Sequence, residues 1–259
     1  MFGLDSYRCA ADDESGFLPI GTRLGSNPHC PVRRAQGDDI PITPEDAAAF
    51  IRANTAIAAP SVVPEIRLHL ATEITPIWQA TEAALARANV DPPFWAFAWP
   101  GGQALARHVL DRPDTVRARR VLDFGAGSGL LAIAAAQAGA ARIQAAEIDP
   151  VACAAIRLNA ALNKVGERID ILEDDVIGRA LGADLILVGD MCYERPLAER
   201  LVHWLRAEAG RGVTVLLGDP GRTYRPTEGL VEIVRHRVPT SLELEDRLER
   251  EAVVWRLLP

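Results

Sequence analysis

Apolar and polar residues alternate in blocks along the chain from residue 120 onward, and the blocks have the lengths of strands and helices. Short apolar runs predict buried strands at residues 120–124, 142–147, 170–172, 184–189 and 213–218. Longer segments between them predict helices at residues 129–138, 150–162 and 195–209. This regular alternation predicts an α/β fold with a mainly parallel sheet.

Two more strand candidates, residues 231–237 and 252–257, flank a charged segment without a clear helix. Strands that follow each other directly can pair antiparallel, so we expect a hairpin at one edge of the sheet. The predicted fold is therefore a Rossmann-like, mainly parallel seven-stranded sheet with an antiparallel edge hairpin. We assign this domain to residues 93–259, after a small N-terminal α+β extension at residues 42–92.

The extension begins with a helix start signal. Thr43 can cap a helix that has Pro44 at its first position and runs to about residue 54. Residues 65–71 alternate as in a half-exposed strand, and a second helix is expected at residues 77–88. Residues 1–41 have no sustained periodicity and many prolines and glycines, which predicts a poorly ordered leader.

The composition narrows the classes of protein and partner. With 259 residues, 49% of them hydrophobic, the chain can bury a sizeable core. Its formal net charge of −7 argues against nucleic acid as the main partner, because such binding needs a concentrated basic face. No apolar run approaches the roughly 20 residues of a membrane span, so we expect no membrane partner. We expect a monomer.

The four cysteines are Cys9, Cys30, Cys153 and Cys192, and none forms a C-x-x-C pair. Their spacing suits neither a zinc site nor a disulfide framework, so we expect no metal. Reduced thiols are typical of cytoplasmic proteins, and we expect that location.

A glycine-rich turn follows the first predicted strand of the sheet. Gly125, Gly127 and Gly129 occupy every second position directly before an apolar helix, and Asp123 lies two residues before the first glycine. Glycine permits a left-handed backbone and the close approach of a ligand. The free N–H groups of the following helix can bind a polar or anionic group. The turn therefore predicts a nucleotide-sized ligand.

Glu147 ends the second strand of the sheet, eighteen residues after Gly129. A carboxylate at this strand end can accept hydrogen bonds from both hydroxyls of a ribose. Two ligands compete at this point, a dinucleotide and S-adenosylmethionine. A dinucleotide site would place the third glycine one residue later in the sequence.

Residues 121–129, Val-Leu-Asp-Phe-Gly-Ala-Gly-Ser-Gly, and the later Glu147-Ile-Asp-Pro resemble the first two motifs of class I S-adenosylmethionine-dependent methyltransferases. The resemblance implies that the glycine turn passes beneath the methionine part of the cofactor. It also implies that Asp123 helps to hold the amino group and that Glu147 holds the ribose. An acid near the adenine amine is implied after the third strand. We assign Asp175 to this role, with Asp174 or a simple solvated turn as alternatives.

Residues 91–102 form an aromatic, proline-containing loop between the extension and the larger domain. Such a loop can be a hydrophobic lid over the sheet edge, an aromatic wall of a binding site, or both. By the family resemblance, Trp99 and Gly102 line the cofactor pocket near Gln103.

Asp190 and Tyr193 follow the fourth strand, at the end of the sheet where open α/β folds bind ligands. Their spacing, Asp-x-x-Tyr, resembles the motif of seven-β-strand protein-lysine methyltransferases. A substrate lysine with its usual pKa of about 10.4 arrives protonated. We expect Asp190 to bind and orient this ammonium and Tyr193 to flank the alkyl stem and the amine. The alternative is that Asp190 only caps the next helix.

Three segments narrow the resemblance: residues 94–103, 190–194 and 218–222. Together they resemble the methyltransferases that act on the β-subunit of electron-transfer flavoprotein, which implies that subunit as the protein substrate. By the same analogy, the turn from Asp219 to Arg222 closes the far side of the substrate opening. The alternative is that both residues are structural, because a Pro-Gly turn is favourable by itself.

Other functions remain open. Relatives with these motifs include nicotinamide-type small-molecule N-methyltransferases and methyltransferases of ribosomal proteins. A protein that binds a nicotinamide dinucleotide is a third alternative. A non-catalytic adaptor is a fourth, although such a scaffold would need neither Glu147 nor Asp190.

Overall fold

The computed structural model describes residues 43–71, 93–241, 245 and 247–259. The described residues all belong to one compact unit of the chain. The predicted leader and the predicted helix at residues 77–88 lie outside the described residues.

The described α-helices, in chain order, are α1 (Pro44–Asn54), α2 (Pro100–Asp111), α3 (Leu130–Gln137), α4 (Pro150–Leu162) and α5 (Arg195–Gly210). The described strands are β1 (Ala56–Ala58), β2 (Leu68–Leu70), β3 (Arg120–Phe124), β4 (Arg142–Ala146), β5 (Ile169–Leu172), β6 (Leu185–Gly189), β7 (Thr214–Asp219), β8 (Leu230–Pro239) and β9 (Glu249–Leu257). Most predicted elements of the larger domain therefore form within one to three residues of their expected bounds.

The main sheet has seven strands in the order β5-β4-β3-β6-β7-β9-β8. The strands from β5 to β7 pair in parallel, whereas β9 pairs antiparallel with both β7 and β8. β1 and β2 form a separate two-stranded antiparallel sheet. The predicted fold class is confirmed: a mainly parallel sheet with an antiparallel hairpin at one edge.

Helices cover both faces of the main sheet, and the strands supply side chains to each side in turn. In β6, Leu185 and Leu187 pack with α2, α3 and α4, whereas Ile186 and Val188 pack with α5. Strands that are buried on both faces are continuously apolar, which explains why their sequence does not alternate. None of the described helices combines the length and the apolar composition needed to cross a bilayer.

α2 begins at Pro100, at the end of the aromatic loop. Trp99 is the capping residue, and proline is favourable at the first helical position because it has no N–H to satisfy. The helix end approaches β7 so closely that a Cβ on Gly101 would lie 2.2 Å from the carbonyl oxygen of Gly218. Two glycines are thus needed where α2 meets the sheet.

The extension is joined to the main sheet by buried polar side chains. Asn159 of α4 is fully buried; its Oδ1 accepts the His69 N–H of β2 at 2.8 Å, and its Nδ2 donates to the Ser128 carbonyl at 2.8 Å. Gln103 of α2 accepts the Ser61 hydroxyl at 3.0 Å. Asn159 therefore ties β2 directly to the glycine turn. The short strand β1, which pairs with β2, was not predicted.

Candidate active site

The carboxyl ends of four parallel strands lie side by side, because β4, β3, β6 and β7 are neighbours in this order. Asp123 lies in β3, Glu147 follows β4 and Asp190 follows β6. The topology therefore brings the acids predicted for the cofactor and for the substrate to the same edge of the sheet, where α/β folds bind their ligands.

The glycine turn has a left-handed backbone at each of its glycines. The φ angles are 63° at Gly125, 51° at Gly127 and 79° at Gly129. A Cβ on Gly125 would also lie 2.5 Å from the Met191 sulfur, whereas a Cβ on Gly127 would meet no atom closer than 3.7 Å. Gly125 and Gly127 are thus required by conformation, and the flexible Met191 side chain would have to move if residue 125 had a Cβ.

Glu147 holds the glycine turn against the end of β4. Its Oε2 accepts the Gly127 N–H at 2.9 Å, and its Oε1 accepts the N–H groups of Ile148 at 2.7 Å and Asp149 at 3.2 Å. A carboxylate offers about four lone-pair sites, so Oε2 retains acceptor capacity for a ribose hydroxyl.

Ile148 is a candidate binding residue that sequence reasoning missed. Its side chain is 71% exposed directly beside Glu147. An apolar side chain at this position can be covered by the flat ring of a nucleotide base. The signal available in the sequence was an apolar residue immediately after the predicted ribose-binding acid.

Asp123 is 1% exposed and carries one oxygen without a partner. Its Oδ2 accepts the Ala132 N–H of α3 at 2.9 Å, whereas its Oδ1 has no hydrogen-bond donor among the described residues. Burial raises the pKa of Asp123 to about 7; the Ala132 N–H opposes this shift and the Glu147 charge adds to it. A cationic amino group at Oδ1 would satisfy this oxygen, so the residues present fit the amino group of S-adenosylmethionine.

Asp190 is buried, and each of its carboxylate oxygens already has a donor. Oδ2 accepts the Gly102 N–H of α2 at 2.8 Å, and Oδ1 accepts Nη2 of Arg222 at 2.8 Å. Its φ of 59° is left-handed, and its own N–H donates to the Gly218 carbonyl at 2.9 Å. Burial raises the pKa of Asp190 to about 6, against the opposing charge of Arg222.

The interpretation of Asp190 as a cap of the next helix is wrong. Glu194 is the N-terminal capping residue of α5, and no side chain caps that end. Asp190 instead accepts the Gly102 N–H in the first turn of α2, a helix that is distant in sequence. An anion at a helix N-terminus is electrostatically favourable, so Asp190 also stabilises the start of α2.

Arg222 links Asp190 to a second buried acid, Glu245. Nη2 of Arg222 lies 2.8 Å from Asp190 Oδ1 and 2.6 Å from Glu245 Oε1. Glu245 in turn accepts Nε of Arg250 at 3.0 Å. The guanidinium carbon of Arg222 lies 5.5 Å from the centre of the Trp99 ring. The sequence drew attention to Arg222 but not to Glu245, which lies in a charged segment with no recognisable motif.

The aromatic loop contains both a buried and an exposed part. Trp95 is buried against α1 and α4, as a lid would be. Phe94 and Tyr193 are 50% and 44% exposed, and their ring centres lie 5.7 Å apart. Trp99 completes this aromatic rim (Phe94, Trp99, Tyr193), with its ring centre 6.2 Å from that of Phe94.

Asp175 lies on the surface and is engaged by protein groups. Its Oδ1 accepts the Ile177 N–H at 3.0 Å, and its Oδ2 accepts Nη2 of Arg200 at 2.8 Å. Asp174 pairs with Arg179 at 2.6 Å. The assignment of Asp175 to the adenine amine stays a prediction. In the part of the chain that the structure describes, no group of three or more His, Cys, Asp or Glu side chains could hold a metal ion.

The matching family model is that of the ribosomal protein L11 methyltransferases (PrmA), and it covers residues 103–189. This range includes the glycine turn and Glu147 and ends immediately before Asp190. Among solved structures, the chain is similar to magnesium protoporphyrin IX methyltransferase from Synechocystis PCC 6803 with bound SAM. The identity is 18%, the match covers 61% of this chain and 80% of that chain, and the TM-score is 0.47.

Curated relatives match over a much longer range. The chain is 39% identical over 252 residues to the electron transfer flavoprotein beta subunit lysine methyltransferase of Xenopus laevis, covering 94% of this chain and 98% of that protein. It is 38% identical over 221 residues to the human protein of the same name, covering 82% of each. The longer match includes the segments that carry Asp190 and Arg222. The chain therefore belongs to the family of the electron transfer flavoprotein beta subunit lysine methyltransferases.

Proposed function

We propose that this chain transfers a methyl group from S-adenosylmethionine to the side-chain amine of a lysine on the electron-transfer flavoprotein β-subunit. The observation that carries the proposal is the 39% identity to such a methyltransferase over 94% of the chain. The PrmA match, in contrast, ends at residue 189, before the residues assigned to the methyl acceptor.

S-adenosylmethionine supplies a methyl group on a sulfonium, which is electrophilic at carbon. Asp123 Oδ1 would hold its amino group and Glu147 its ribose hydroxyls, as the orphaned oxygen and the spare acceptor capacity allow. Trp99 and Gly102 would border the same pocket, and Asp175 would accept the adenine amine. The glycine turn lets the methionine part approach the backbone closely.

The side chains around Asp190 would position the acceptor. Methyl transfer forms a bond between nitrogen and the methyl carbon as the carbon–sulfur bond breaks, so the amine must be neutral and in line. Asp190 would receive the lysine side chain and orient its nitrogen. Tyr193 would flank the alkyl stem from the aromatic rim. The positive charge gained by nitrogen is lost as a proton to solvent after transfer.

Methylation of the purified flavoprotein tests this proposal. We expect mass spectrometry to find a methylated lysine on the β-subunit, and Asp190→Asn to lower the rate at least about 100-fold while S-adenosylmethionine binding is retained. Asp114→Asn is the matched control, because Asp114 is an exposed acid in a surface ion pair. If only nicotinamide or ribosomal protein L11 were methylated, the proposed acceptor would be wrong.

We also propose a cytoplasmic monomer without a nucleic-acid or membrane partner. Cys153 and Cys192 are buried free thiols, which suits a reducing compartment. The net charge of −7 disfavours a phosphate backbone as partner. Sedimentation and cell fractionation test these points, and a dimer or a membrane-bound fraction would contradict them.

A further inference from the structure

Three buried acids and three arginines form a group of ion pairs that includes Asp190, the residue proposed to receive the substrate amine. The acids are Asp190, Asp219 and Glu245, and the basic residues are Arg222, Arg225 and Arg250. We call these six residues the acceptor ion cluster. The three negative and three positive charges of the cluster balance when all six residues are ionised.

The members of the acceptor ion cluster are linked in two chains of contacts. In the first, Arg222 bridges Asp190 and Glu245, and Arg250 binds Glu245 on its other side. In the second, Arg225 lies 3.5 Å from Asp219. Each acid is almost completely screened from water, with side-chain exposures of 9% for Asp190, 3% for Asp219 and 1% for Glu245.

The turn that carries Arg222 does not need its side chain. Asp219 Oδ1 accepts the N–H groups of Gly221 at 2.7 Å and of Arg222 at 2.8 Å, which fixes the turn through the backbone. The Arg222 guanidinium instead points back over Trp99 to Asp190. Its buried Nε has no hydrogen-bond acceptor among the described residues. The position of the side chain is thus set by Asp190 and Glu245.

A charge-balanced, buried site disfavours a second cation. A lysine ammonium that reached Asp190 would lie within about 6 Å of the Arg222 guanidinium, since both would contact the same carboxylate. Arginine stays protonated in proteins, whereas a lysine ammonium beside a like charge can lose its proton to solvent. Asp190 without Arg222 would hold an ammonium; Asp190 with Arg222 favours an amine.

We propose that Arg222 is a positioning residue that drives the substrate lysine at Asp190 into its neutral, nucleophilic form. This inference rests on the proposed function of the chain as a lysine methyltransferase. The groups that face Asp190 are Arg222 and Asp219 from the β7 end, the Gly102 N–H from α2, the Cys192 thiol, and Glu245 behind Arg222. Arg222 is the cation in direct contact with Asp190.

The test is the pH dependence of the single-turnover methyl-transfer rate with saturating flavoprotein, which isolates the chemical step from product release. For the unmodified enzyme, we expect the rate to rise with an apparent pKa at least about one unit below the usual lysine value of about 10.4. An apparent pKa near 10.4 in the unmodified enzyme would overturn the proposal without any variant.

Arg222→Gln removes the cation and keeps a planar side chain. We expect its apparent pKa to move up by about one to two units, so that the rate at pH 7.5 falls about 10- to 100-fold and recovers in alkaline buffer. The KM for the flavoprotein should stay level or fall, because Asp190 then holds the ammonium more firmly. A rate loss of equal size at every pH would overturn the proposal in favour of a structural role.

Two further variants complete the test. Arg222→Lys keeps the positive charge and should keep the pH profile of the unmodified enzyme, even if its rate is lower. If Arg222→Gln does not fold, Arg222→Gln combined with Glu245→Gln removes one buried acid together with the cation, so the net charge of the cluster is unchanged. This double variant should show the same alkaline shift, because Asp190 has again lost the cation in contact with it. S-adenosylmethionine binding reports folding in each case. Absence of lysine methylation by the unmodified enzyme would instead contradict the proposed function itself.

Discussion

The two halves of the active-site crevice are built on different principles. The donor side consists of the glycine turn, Asp123 and Glu147, and one buried carboxylate oxygen of Asp123 has no hydrogen-bond donor in the part of the chain that the structure describes. The acceptor side consists of Asp190 and the acceptor ion cluster, in which every oxygen of Asp190 and Glu245 has a donor.

The two sides therefore respond differently to a charged group of a ligand. A buried, unpaired oxygen is costly, so the donor side gains when a cationic group of the ligand reaches it. The buried acids and arginines of the acceptor side already balance each other's charges, and a further charge would be unfavourable there. The donor side is therefore prepared for a charged group and the acceptor side for a neutral one.

The contact that holds the acceptor side together is the glycine pair Gly101 and Gly218. A Cβ on Gly218 would lie 2.1 Å from the Gly101 carbonyl oxygen, which is far inside van der Waals contact. We expect Gly218→Ala to lower the free energy of unfolding by about 3 kcal/mol or more, measured by denaturant titration. Gly210→Ala, where a Cβ would meet no atom within 4 Å, is the matched control and should be nearly neutral. Equal stability of the two variants would mean that this packing is not needed.

Substitution of Glu147 on the donor side should affect cofactor binding much more than substitution of Asp190 on the acceptor side. We expect Glu147→Ala to weaken S-adenosylmethionine binding about 100-fold, because charge-assisted bonds to ribose contribute about 1.5–3 kcal/mol each and the hold on Gly127 is lost. Asp190→Asn should leave that affinity within about threefold, since Asp190 is assigned to the acceptor and not to the cofactor. Calorimetry measures both. Glu173→Ala, which removes a neighbouring exposed acid, is the control. If Asp190→Asn lowered the affinity for S-adenosylmethionine more than Glu147→Ala, the assignment of Glu147 to the cofactor and of Asp190 to the acceptor would be wrong.

Asp123 makes the stability of the ligand-free enzyme depend on pH. Its folded-state pKa of about 7 lies above the usual value near 3.9 for an unfolded chain, so the folded state binds the proton more tightly. Stability is therefore lost as the pH rises from about 4 to about 7. We expect Asp123→Asn to be more stable than the unmodified enzyme at pH 8, by about 1–3 kcal/mol, with a smaller gain at pH 5. Thermal unfolding without ligand measures this; a gain that does not shrink at pH 5 would contradict it.

The smallest effect concerns the adenine end of the donor side. Asp175 is exposed and already paired with Arg200, so a bond to the adenine amine would add little. We expect Asp175→Ala to weaken S-adenosylmethionine binding about 3- to 10-fold and Asp174→Ala to leave it unchanged. If the affinity were unchanged in both variants, Asp175 would be a solvated surface residue and its assignment to the adenine amine would be wrong.

Most of the secondary structure of the larger domain, the fold class and the positions of Asp123, the glycine turn and Glu147 could be predicted from the sequence alone. Each depends on residues that are close in sequence: strand, glycine turn and helix are contiguous from residue 120 to residue 137, and Glu147 ends the next strand. Local backbone preferences and burial patterns act over such distances. Asp190 and Tyr193 were found for the same reason, because they follow one strand directly.

The contacts of the acceptor side depend on long-range packing. Gly102, Asp190, Arg222 and Glu245 come from four separate segments, and their contacts exist because β6 lies beside β7 and α2 packs against both. The start of α2 at Pro100 depends on a glycine contact with β7, more than a hundred residues away. The sequence could name an acid at the end of β6, but its partners follow from strand order and long-range packing, which no local pattern records.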